Sequence, residues 1–335
     1  MNKKIIFISW TPFGRHTELL GKALGAEIYF IKNFIKTRGL TWYLLFPLDY
    51  LIKSLNSVII LLRLHPMVVF VQNPPSIAPV ILVLFSKLLK IKTVIDSHNG
   101  AFEKPWVNVP FHIWSLRKAN VVTIHNQELF NRLISNKKFS GIKFMILNSR
   151  MSEFPGILKV YKEDKYFLVI SSFSADEPMD FLLEGLRIYL SDSGSNIKFR
   201  VTGNYRKKIY LYDKYSEYQN IEFLGFVDDD KYNQLLVNAL GVIALSTRDD
   251  VQQFALMEAV GAEVPFISSK NKTNIALFND KMILTENLPS EIARSISIFI
   301  QKKIELDNRI IEVKNNQKSI WEKDFEKLIG ELENS

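Results

Sequence analysis

The 335-residue sequence is 47% hydrophobic and 23% charged, a balance that excludes a disordered chain and is long enough for two α/β domains. It contains no cysteine, which excludes disulfides and thiolate metal sites and fits a reducing cytoplasm. Its net charge of +8 leaves nucleic acid, anionic lipid and phosphorylated substrates open as partners.

The first half of the chain alternates short β-rich runs with helical patterns, as in a parallel sheet covered by helices. Strands are predicted at 4–9, 27–31, 67–71, 92–96, 120–124 and 143–147. Helices are predicted at 15–24, 77–89 and 127–135. These elements predict a first Rossmann-like domain over 1–150.

The alternation stops across 148–165, where Pro155, Gly156 and several charges indicate a linker, and then resumes. Strands are predicted at 166–171, 198–202, 221–224, 241–245 and 264–268, with helices at 176–190, 229–238 and 252–261. A second Rossmann-like domain is therefore predicted over 165–310, and a helix over 311–335 that packs back across the domain boundary. The fold class is α/β, two doubly wound domains with a ligand cleft between them.

The segment 241–269 (GVIALSTRDDVQQFALMEAVGAEVPFISS) has the most chemical content. A strand ends near Ser246, a polar turn follows, and a helix is predicted to begin near Val251. A helix N-terminus at the carboxyl end of a strand binds a diphosphate through its N–H groups and dipole. Asp250 lies at the predicted helix start and Glu258 eight residues later, where it can reach ribose hydroxyls. The alternatives are that Asp250 only caps the helix and that Glu258 is a solvated helical residue.

This segment resembles the donor-binding region of GT4-like glycosyltransferases, which have the GT-B fold. Their pattern is a Glu, then seven residues, then a second Glu that begins an EA...G.PV run. Here it reads Asp250, seven residues, Glu258-Ala259, then Gly261 and Val264-Pro265. The resemblance implies that Asp250 acts near the transferred sugar and that Glu258 binds the donor ribose. It also implies that backbone N–H groups contact the sugar and phosphates at Gln253, Phe254 and Ala255.

Other segments follow the family's order. The KFRVTGN run at 198–204 resembles the strand and glycine turn beside the nucleotide, which makes Gly203 a donor-site candidate. The NIEFLGFV run at 220–227 resembles the base-binding loop, with Gly225, Phe226 and Val227 as base contacts. The chain lacks the family's Arg and Lys after the first donor-domain strand. Arg248 is the first predicted substitute for their charge on the diphosphate, followed by Arg206 and Lys207.

In the first half, the strand ending at Ser9 leads through Gly14-Arg15 into a helix. Relatives often have a Gly-Gly pair in this loop; here Gly14 is predicted to border the donor, and Arg15 either reaches a phosphate or lies in solvent. His98 follows the fourth strand, where the family places an active-site histidine that contacts the sugar or acceptor, so it is predicted to be catalytic. The other histidines have no metal-ligand spacing and are predicted to be structural: His16, His65, His112 and His125.

The runs VQNPPS at 71–76 and DSHN at 96–99 also resemble the dolichol-pathway β-1,4-mannosyltransferase, which acts on a lipid diphosphate. That enzyme inverts configuration, whereas GT4 enzymes retain it, so the anomeric outcome stays open. An inverting reaction would need a base near the acceptor, for which His98, Glu103 and Asp96 are the candidates.

A membrane-facing segment is predicted at 41–63, where Trp42, Tyr43, Phe46 and Tyr50 accompany aliphatic residues. No transmembrane helix is predicted, because Pro47, Asp49, Lys53 and Asn56 interrupt the apolar run, and the N-terminus lacks the features of a secretory signal. Residues 1–155 carry 20 Lys and Arg against 7 Asp and Glu, and 156–335 carry 23 against 28. The first half therefore has a net charge of +13, either from scattered solubilising lysines or from a surface that binds an anionic leaflet. For the segment 56–62, a buried core helix is the alternative.

The sequence thus predicts a cytoplasmic, peripheral-membrane hexosyltransferase. It would move a sugar from a nucleoside-diphosphate sugar to a lipid-linked glycan, one carried on a polyprenyl diphosphate, in polysaccharide or glycolipid biosynthesis. No cofactor, no metal and no nucleic-acid partner is predicted. Two alternatives remain: a non-catalytic partner subunit of the same fold, and a nucleotide-sugar epimerase.

Overall fold

The computed structural model describes residues 4–35, 40–154, 157 and 165–334, with 40–44 and 334 described by their backbone only. Within these residues the chain forms two units, one of residues 1–150 and 321–335 and the other of residues 151–320. Most of the predicted linker, including Pro155 and Gly156, lies outside the described residues. We call the two parts unit 1 and unit 2 and treat each by itself.

Unit 1 is built on a six-stranded, all-parallel sheet in the order β2-β1-β3-β4-β5-β6. Each strand falls within one predicted from the sequence or within two residues of it, because buried parallel strands read as continuous apolar runs. The strands are β1 Ile5–Ser9, β2 Glu27–Phe30, β3 Val68–Asn73, β4 Lys92–Ser97, β5 Val121–Ile124 and β6 Phe144–Ile146.

Five helices follow these strands and cover the sheet of unit 1, as right-handed parallel crossovers require. Three of them match predicted helices, and α4 was not predicted. They are α1 Arg15–Ala23, α2 Leu40–Leu64, α3 Ile77–Leu88, α4 His112–Lys118 and α5 Gln127–Ile134.

The helix α2 has its polar side turned inward. Asp49 and Lys53 are buried and form an ion pair of 3.0 Å. Asp49 also accepts hydrogen bonds from the N–H groups of Phe34 and Ile35. The buried Ser57 accepts one from Trp10 Nε1 at 2.9 Å. The polar residues that interrupt the apolar run in the sequence therefore anchor the helix to unit 1.

The outward side of α2 is apolar. We define the α2 face as its exposed residues Phe46, Leu48, Leu51, Leu55, Ile59 and Leu62. Part of the helix, Leu45–Leu64, is long and apolar enough to cross a membrane by length and composition alone, and 22% of that window is buried. The side chains of Trp42 and Tyr43 lie outside the described residues.

Unit 2 contains a second all-parallel sheet, in the order β12-β11-β10-β7-β8-β9. Five of its strands match predicted ones. The sixth, β12, has only three residues and no periodicity to reveal it. The strands are β7 Tyr166–Ile170, β8 Lys198–Thr202, β9 Ile221–Gly225, β10 Gly241–Ala244, β11 Phe266–Ser269 and β12 Ile283–Thr285.

Helices flank this sheet too, so the predicted α/β class with two doubly wound domains is confirmed. They are α6 Met179–Ser193, α7 Ile209–Tyr215, α8 Asp229–Val237, α9 Phe254–Gly261, α10 Lys272–Phe278 and α11 Pro289–Gln301. The last helix, α12, runs over Lys303–Asn334. Its first part belongs to unit 2 and its last turns belong to unit 1.

Each sheet has a point where the strand order reverses direction. In unit 1 it lies between β1 and β3, and in unit 2 between β7 and β10. Parallel sheets bind ligands at the carboxyl ends of the strands around such a point. The carboxyl edge of unit 1 is formed by the loops after β1, β3, β4 and β5, and that of unit 2 by the loops after β7, β8 and β10.

Candidate functional site

The loop after β7 is organised around Glu177. Its carboxylate accepts hydrogen bonds from the Ser172 and Ser174 N–H groups at 2.9 and 3.1 Å and from the Ser171 hydroxyl at 2.6 Å. These N–H groups are therefore already bound to an internal acid. Where the resembled family has a basic pair, this chain has a loop held in shape by its own carboxylate.

Gly203 is required by the close approach of two turns. Its φ is +101°, and a Cβ at this position would lie 1.7 Å from the carbonyl oxygen of Ser171. The Gly203 N–H also donates to the Gly225 carbonyl at 2.9 Å. The glycine thus joins the loops after β7, β8 and β9 at one edge, in a conformation that other residues rarely adopt.

Basic residues reach this edge from the short helical turn Tyr205–Lys208. The Lys207 ammonium donates to the Ser172 carbonyl at 2.9 Å, and Lys208 donates to the Glu177 carbonyl at 3.2 Å. Arg206 lies exposed beside them. Two of these residues, Arg206 and Lys207, were predicted as substitutes for the missing pair. Lys208 was not predicted, because only the folded loop brings it to Glu177.

The turn after β10 packs against the loop after β7. The Thr247 N–H donates to the Asp176 carbonyl at 2.8 Å, which joins the two strands of the reversal point. In the same turn the Arg248 guanidinium donates two hydrogen bonds to Asp250 Oδ1. One comes from Nε and one from Nη2, each at 3.2 Å. The predicted diphosphate-binding arginine and the predicted sugar-site carboxylate therefore form one ion pair.

The helix after this turn begins later than predicted. It begins at Phe254, not near Val251, with Gln253 as its N-cap in an extended conformation. The Gln253 side chain donates to the Leu245 carbonyl at 3.0 Å and so holds the chain extended up to this residue. Asp250 is consequently a turn residue, and the alternative that it caps α9 is wrong. Phe254 and Ala255 form the start of the first turn of α9.

Glu258 is buried, with 8% of its surface exposed, so it is not a solvated helical residue. It lies one turn into α9, and its Oε2 accepts a hydrogen bond of 2.5 Å from the Tyr232 hydroxyl of α8. Tyr232 is a site neighbour that sequence reasoning missed, because nothing in its local pattern separates it from other helical tyrosines. Its bond directs the carboxylate toward the α8 side of α9.

The loop between β9 and α8 exposes an aromatic ring. Phe226 is 82% exposed, whereas Val227 is half-buried. Gly225 precedes them with φ +69° and turns the chain out of the strand. A large exposed ring costs solvation energy unless a partner covers it, so Phe226 has the exposure that stacking on a base requires. Its predicted role at the base stays a prediction.

In unit 1, Gly14 is the N-cap of α1 and Arg15 its first residue. Gly14 has an extended backbone, and a Cβ there would only touch the Thr17 side chain at 3.4 Å, so glycine is not sterically required. Arg15 is half-buried and has a partner within the protein, which is against the alternative that it lies in solvent. Their predicted donor contacts stay predictions.

Three histidines and one aspartate meet at the carboxyl edge of unit 1. Their potential ligand atoms all lie within 4.8 Å of one another, and we call this group the histidine cluster: His16, Asp96, His98 and His125. His16 and His125 were predicted to be structural because the sequence gives them no metal-ligand spacing, and the structure brings both next to His98 and Asp96. Sequence spacing detects ligands on one element. These residues come from the first turn of α1, from the end of β4 and the residue after it, and from the residue after β5, which only the parallel sheet brings together.

Asp96 is the centre of the histidine cluster. His16 Nε2 lies 3.1 Å and His98 Nε2 3.9 Å from its Oδ2, and His125 Nε2 lies 3.7 Å from its Oδ1. Burial raises the pKa of Asp96, but His16 and His125 more than offset this and hold it well below its usual range. The carboxylate is thus charged at neutral pH.

Two other members of the cluster, His98 and His125, are neutral at that pH. Burial, and next the neighbouring imidazoles of His125 and His16, lower the pKa of His98 to about 3. Burial likewise lowers the pKa of His125 to about 4. Neutral imidazoles keep a nitrogen lone pair available for a proton or an ion.

Of the remaining candidates, Glu103 lies 3.6 Å from Arg132 in an exposed ion pair, which makes it an ordinary surface acid. His65 is exposed, and His112 is buried below the edge. Neither belongs to the histidine cluster.

Comparison with solved structures gives the fold of the whole chain. HepE of Anabaena, solved with UDP and glucose, is 14% identical, with a TM-score of 0.68 over 98% of this chain and 100% of HepE. A glycosyltransferase of Rickettsia africae is 14% identical, with a TM-score of 0.62 over 97% and 99%. The GtfA/B complex has the same identity and a TM-score of 0.62 over 84% of this chain, which spans 61% of that protein. No curated protein matches the sequence.

A family model supplies the remaining comparison. Residues 151–317 match the glycosyl transferases group 1 model, and this range is unit 2 without its last three residues. The predicted resemblance is confirmed for the family and the fold, whereas similarity to the dolichol-pathway enzyme stays a prediction. Unit 2 therefore belongs to the group 1 glycosyltransferases, and the chain as a whole has the GT-B fold.

Proposed function

We propose that this chain transfers a hexose from a nucleoside-diphosphate sugar to a polyprenyl-diphosphate-linked glycan at an anionic membrane surface. The observation that carries the proposal is the convergence at one edge of unit 2. There the Arg248–Asp250 turn, the first turn of α9, the Gly203 turn and Lys207 surround the reversal point between β7 and β10. UDP or a UDP-sugar is bound in solved structures of HepE, which has the same fold.

In this proposal, unit 2 binds the donor. The first N–H groups of α9, at Phe254 and Ala255, bind the diphosphate together with the helix dipole. Lys207 and Arg206 neutralise the charge that builds on the leaving nucleoside diphosphate, so that this step needs no metal. Glu258, held by Tyr232, accepts from the ribose hydroxyls, and Phe226 stacks on the base.

The Arg248–Asp250 ion pair serves two tasks in this reaction. Asp250 accepts a hydrogen bond from a sugar hydroxyl. Arg248 turns from the carboxylate toward the phosphate when the donor binds. His98 acts at the sugar or acceptor from unit 1, where its side chain is 34% exposed.

The lipid acceptor and the peripheral attachment to the cytoplasmic face rest on unit 1. The net charge of residues 1–155 is +13, and the α2 face is a continuous apolar stripe. Beside it a cavity of about 470 Å³ is lined by residues 30–34, at the end of β2 and after it, and by residues of α2, with Lys32 and Arg63 as its two cations. An apolar stripe next to cations suits acyl chains beside phosphate groups.

The test of catalysis is release of nucleoside diphosphate from a panel of UDP, GDP and ADP sugars, with and without polyprenyl-diphosphate acceptors. We expect acceptor-dependent release from one donor, and a loss of at least about 100-fold in Asp250→Asn, the size typical of a lost transition-state contact. Tyr210→Phe is the matched control, because Tyr210 is an exposed residue of unit 2 whose hydroxyl bonds only Asp180.

Two outcomes would contradict the proposal. Absence of release with every donor, together with no binding of any nucleoside diphosphate, would favour the non-catalytic partner subunit. Conversion of a donor to its epimer without acceptor would favour the epimerase.

A further inference from the structure

The histidine cluster has more in common with a metal site than with a catalytic dyad. A base needs one histidine and one orienting acid, whereas here three imidazoles surround a single buried carboxylate. The ring centroids of His16 and His125 are 4.6 Å apart, those of His98 and His125 4.7 Å, and those of His16 and His98 5.1 Å. Three rings from separate parts of unit 1 thus lie side by side.

Two nitrogen atoms in the cluster have no hydrogen-bond partner. His98 Nε2 and His125 Nε2 are both buried from solvent and neither makes a hydrogen bond. The His125 side chain as a whole is more than nine-tenths buried. Leaving a buried nitrogen without a hydrogen bond is unfavourable, so two of them side by side are a reason to expect a ligand between them.

Neighbouring groups fix the tautomer of His125, leaving one ring nitrogen able to bind a metal ion. Its Nδ1 lies 3.2 Å from the Leu147 carbonyl oxygen, which can only accept, so Nδ1 carries the proton. Nε2 therefore presents its lone pair to the cluster. On the other side, Thr123 donates to Asp96 Oδ1 at 2.8 Å and orients the carboxylate. Metal ligands commonly have such outer partners, which set the tautomer and direction of each donor.

We propose that His16, Asp96 and His125 bind a divalent transition-metal ion of the Zn²⁺ class, with His98 as the fourth donor. Imidazole nitrogens with one carboxylate oxygen are a donor set that Zn²⁺ accepts. Four donors at about 2 Å from a tetrahedral ion lie about 3.3 Å from one another. The pair His16–Asp96 is already at 3.1 Å, and the remaining donors move inward by at most about 1.5 Å.

The ion would occupy the space into which the two unpaired nitrogens point, and it would displace the proton that His16 now shares with Asp96. The buried Nε2 of His98 would face the ion. The exposed third of its side chain lies elsewhere on the ring and stays available for a substrate contact. Unit 1 alone supplies this site, so it is separate from charge neutralisation at the donor diphosphate.

The test uses tag-free, full-length protein stripped with a chelator and then dialysed against ZnCl₂. Metal per chain is measured by mass spectrometry, and Co²⁺ is used as a spectroscopic substitute that reports tetrahedral nitrogen and oxygen ligands. We expect about one ion per chain, and a rise in melting temperature with metal concentration, as ligation of the folded state requires. The exposed His65→Asn is the matched control and should bind like the wild type.

His125→Ala and His16→Ala should lose the ion. Because a ligand variant can also fail to fold, Thr123→Val provides a second test. It keeps the shape and removes only the hydrogen bond to Asp96, so it should bind Zn²⁺ about 10–100-fold more weakly. Absence of bound metal in the wild type would overturn the proposal, and so would equal binding by folded wild type, His125→Ala and Thr123→Val. None of these results depends on transferase activity.

Discussion

At the residue scale, His112 belongs to a network of buried hydrogen bonds below the carboxyl edge of the sheet in unit 1. Its Nε2 accepts a hydrogen bond of 3.0 Å from Asn73 Nδ2, which also donates to Ser97 Oγ at 3.2 Å. Ser76 in turn donates to Asn73 Oδ1. The VQNPPS run that suggested a lipid-diphosphate acceptor thus supplies an asparagine used for internal hydrogen bonding.

This arrangement predicts a dependence of stability on pH. Burial, and next the charge of Lys138, lower the pKa of His112 to about 4, below the unfolded value of about 6.5. A depressed histidine pKa means that stability is complete above pH 6.5 and falls as pH drops toward 4. Between pH 7 and 5 this one group should cost about 2 kcal/mol of unfolding free energy.

Urea unfolding of chelated protein at several pH values measures the effect. His112→Gln can still accept from Asn73 but does not titrate, so its acid-dependent loss should be smaller than that of the wild type by this amount. His65→Asn, an exposed histidine changed to a residue that tolerates its positive φ, should keep the wild-type slope. Identical slopes for His112→Gln and the wild type would show that His112 does not titrate as described.

At the element scale, α2 is unusual because two of its charged residues, Asp49 and Lys53, are buried while several of its leucines are exposed. Burial raises the pKa of Asp49, but the N–H groups of Ile35 and Phe34 and the Lys53 ammonium hold it below its usual value. The pair is therefore charged and internally satisfied. Since the inward side already packs on unit 1, the α2 face is the part left for a membrane surface.

The membrane proposal predicts that Leu51→Gln, Leu55→Gln and Ile59→Gln together abolish sedimentation with anionic phospholipid vesicles. These side chains are exposed, so each change should alter stability by less than about 0.5 kcal/mol. Leu88→Gln, at an exposed leucine of unit 1 on α3, should bind vesicles like the wild type. Undiminished binding by the triple variant would mean that another surface attaches the protein.

At the scale of the whole molecule, the C-terminal helix completes the core of the N-terminal unit. Leu328 and Leu332 of α12 are buried in a cluster with Phe7, Leu20 and Phe70. Lys92 donates to the Leu332 carbonyl at 2.7 Å, and Asn148 donates to Asp324 at 2.9 Å. Unit 1 therefore depends on residues that follow unit 2 in sequence.

We expect Leu328→Ala to destabilise unit 1 by about 2–5 kcal/mol, the cost of a cavity in a packed core. Hydrogen exchange followed by mass spectrometry should show faster exchange in β1, β3 and β4 and little change in β10 and β11. Ile304→Ala, on the same helix but exposed, is the control and should leave both units unchanged. Equal acceleration in both units would contradict a role confined to unit 1.

The sequence alone determined the class of fold and nearly all of its strands, because a buried parallel strand needs a continuous apolar run whatever surrounds it. It missed the three-residue β12, which is too short for a pattern, and it placed the start of α9 too early. Gln253 decides that start through a bond to the Leu245 carbonyl eight residues away, which no local propensity encodes.

The sequence alone determined only part of the candidate site. Asp250, Glu258 and His98 were predicted from the resemblance of short sequence runs to the GT4-like family. The Arg248–Asp250 pairing, the partner Tyr232 and the approach of Lys207 and Lys208 were decided by the tertiary structure. The histidine cluster is the clearest case, since His16, His98 and His125 are separated by dozens of residues and meet only because parallel strands place all their carboxyl ends at one edge.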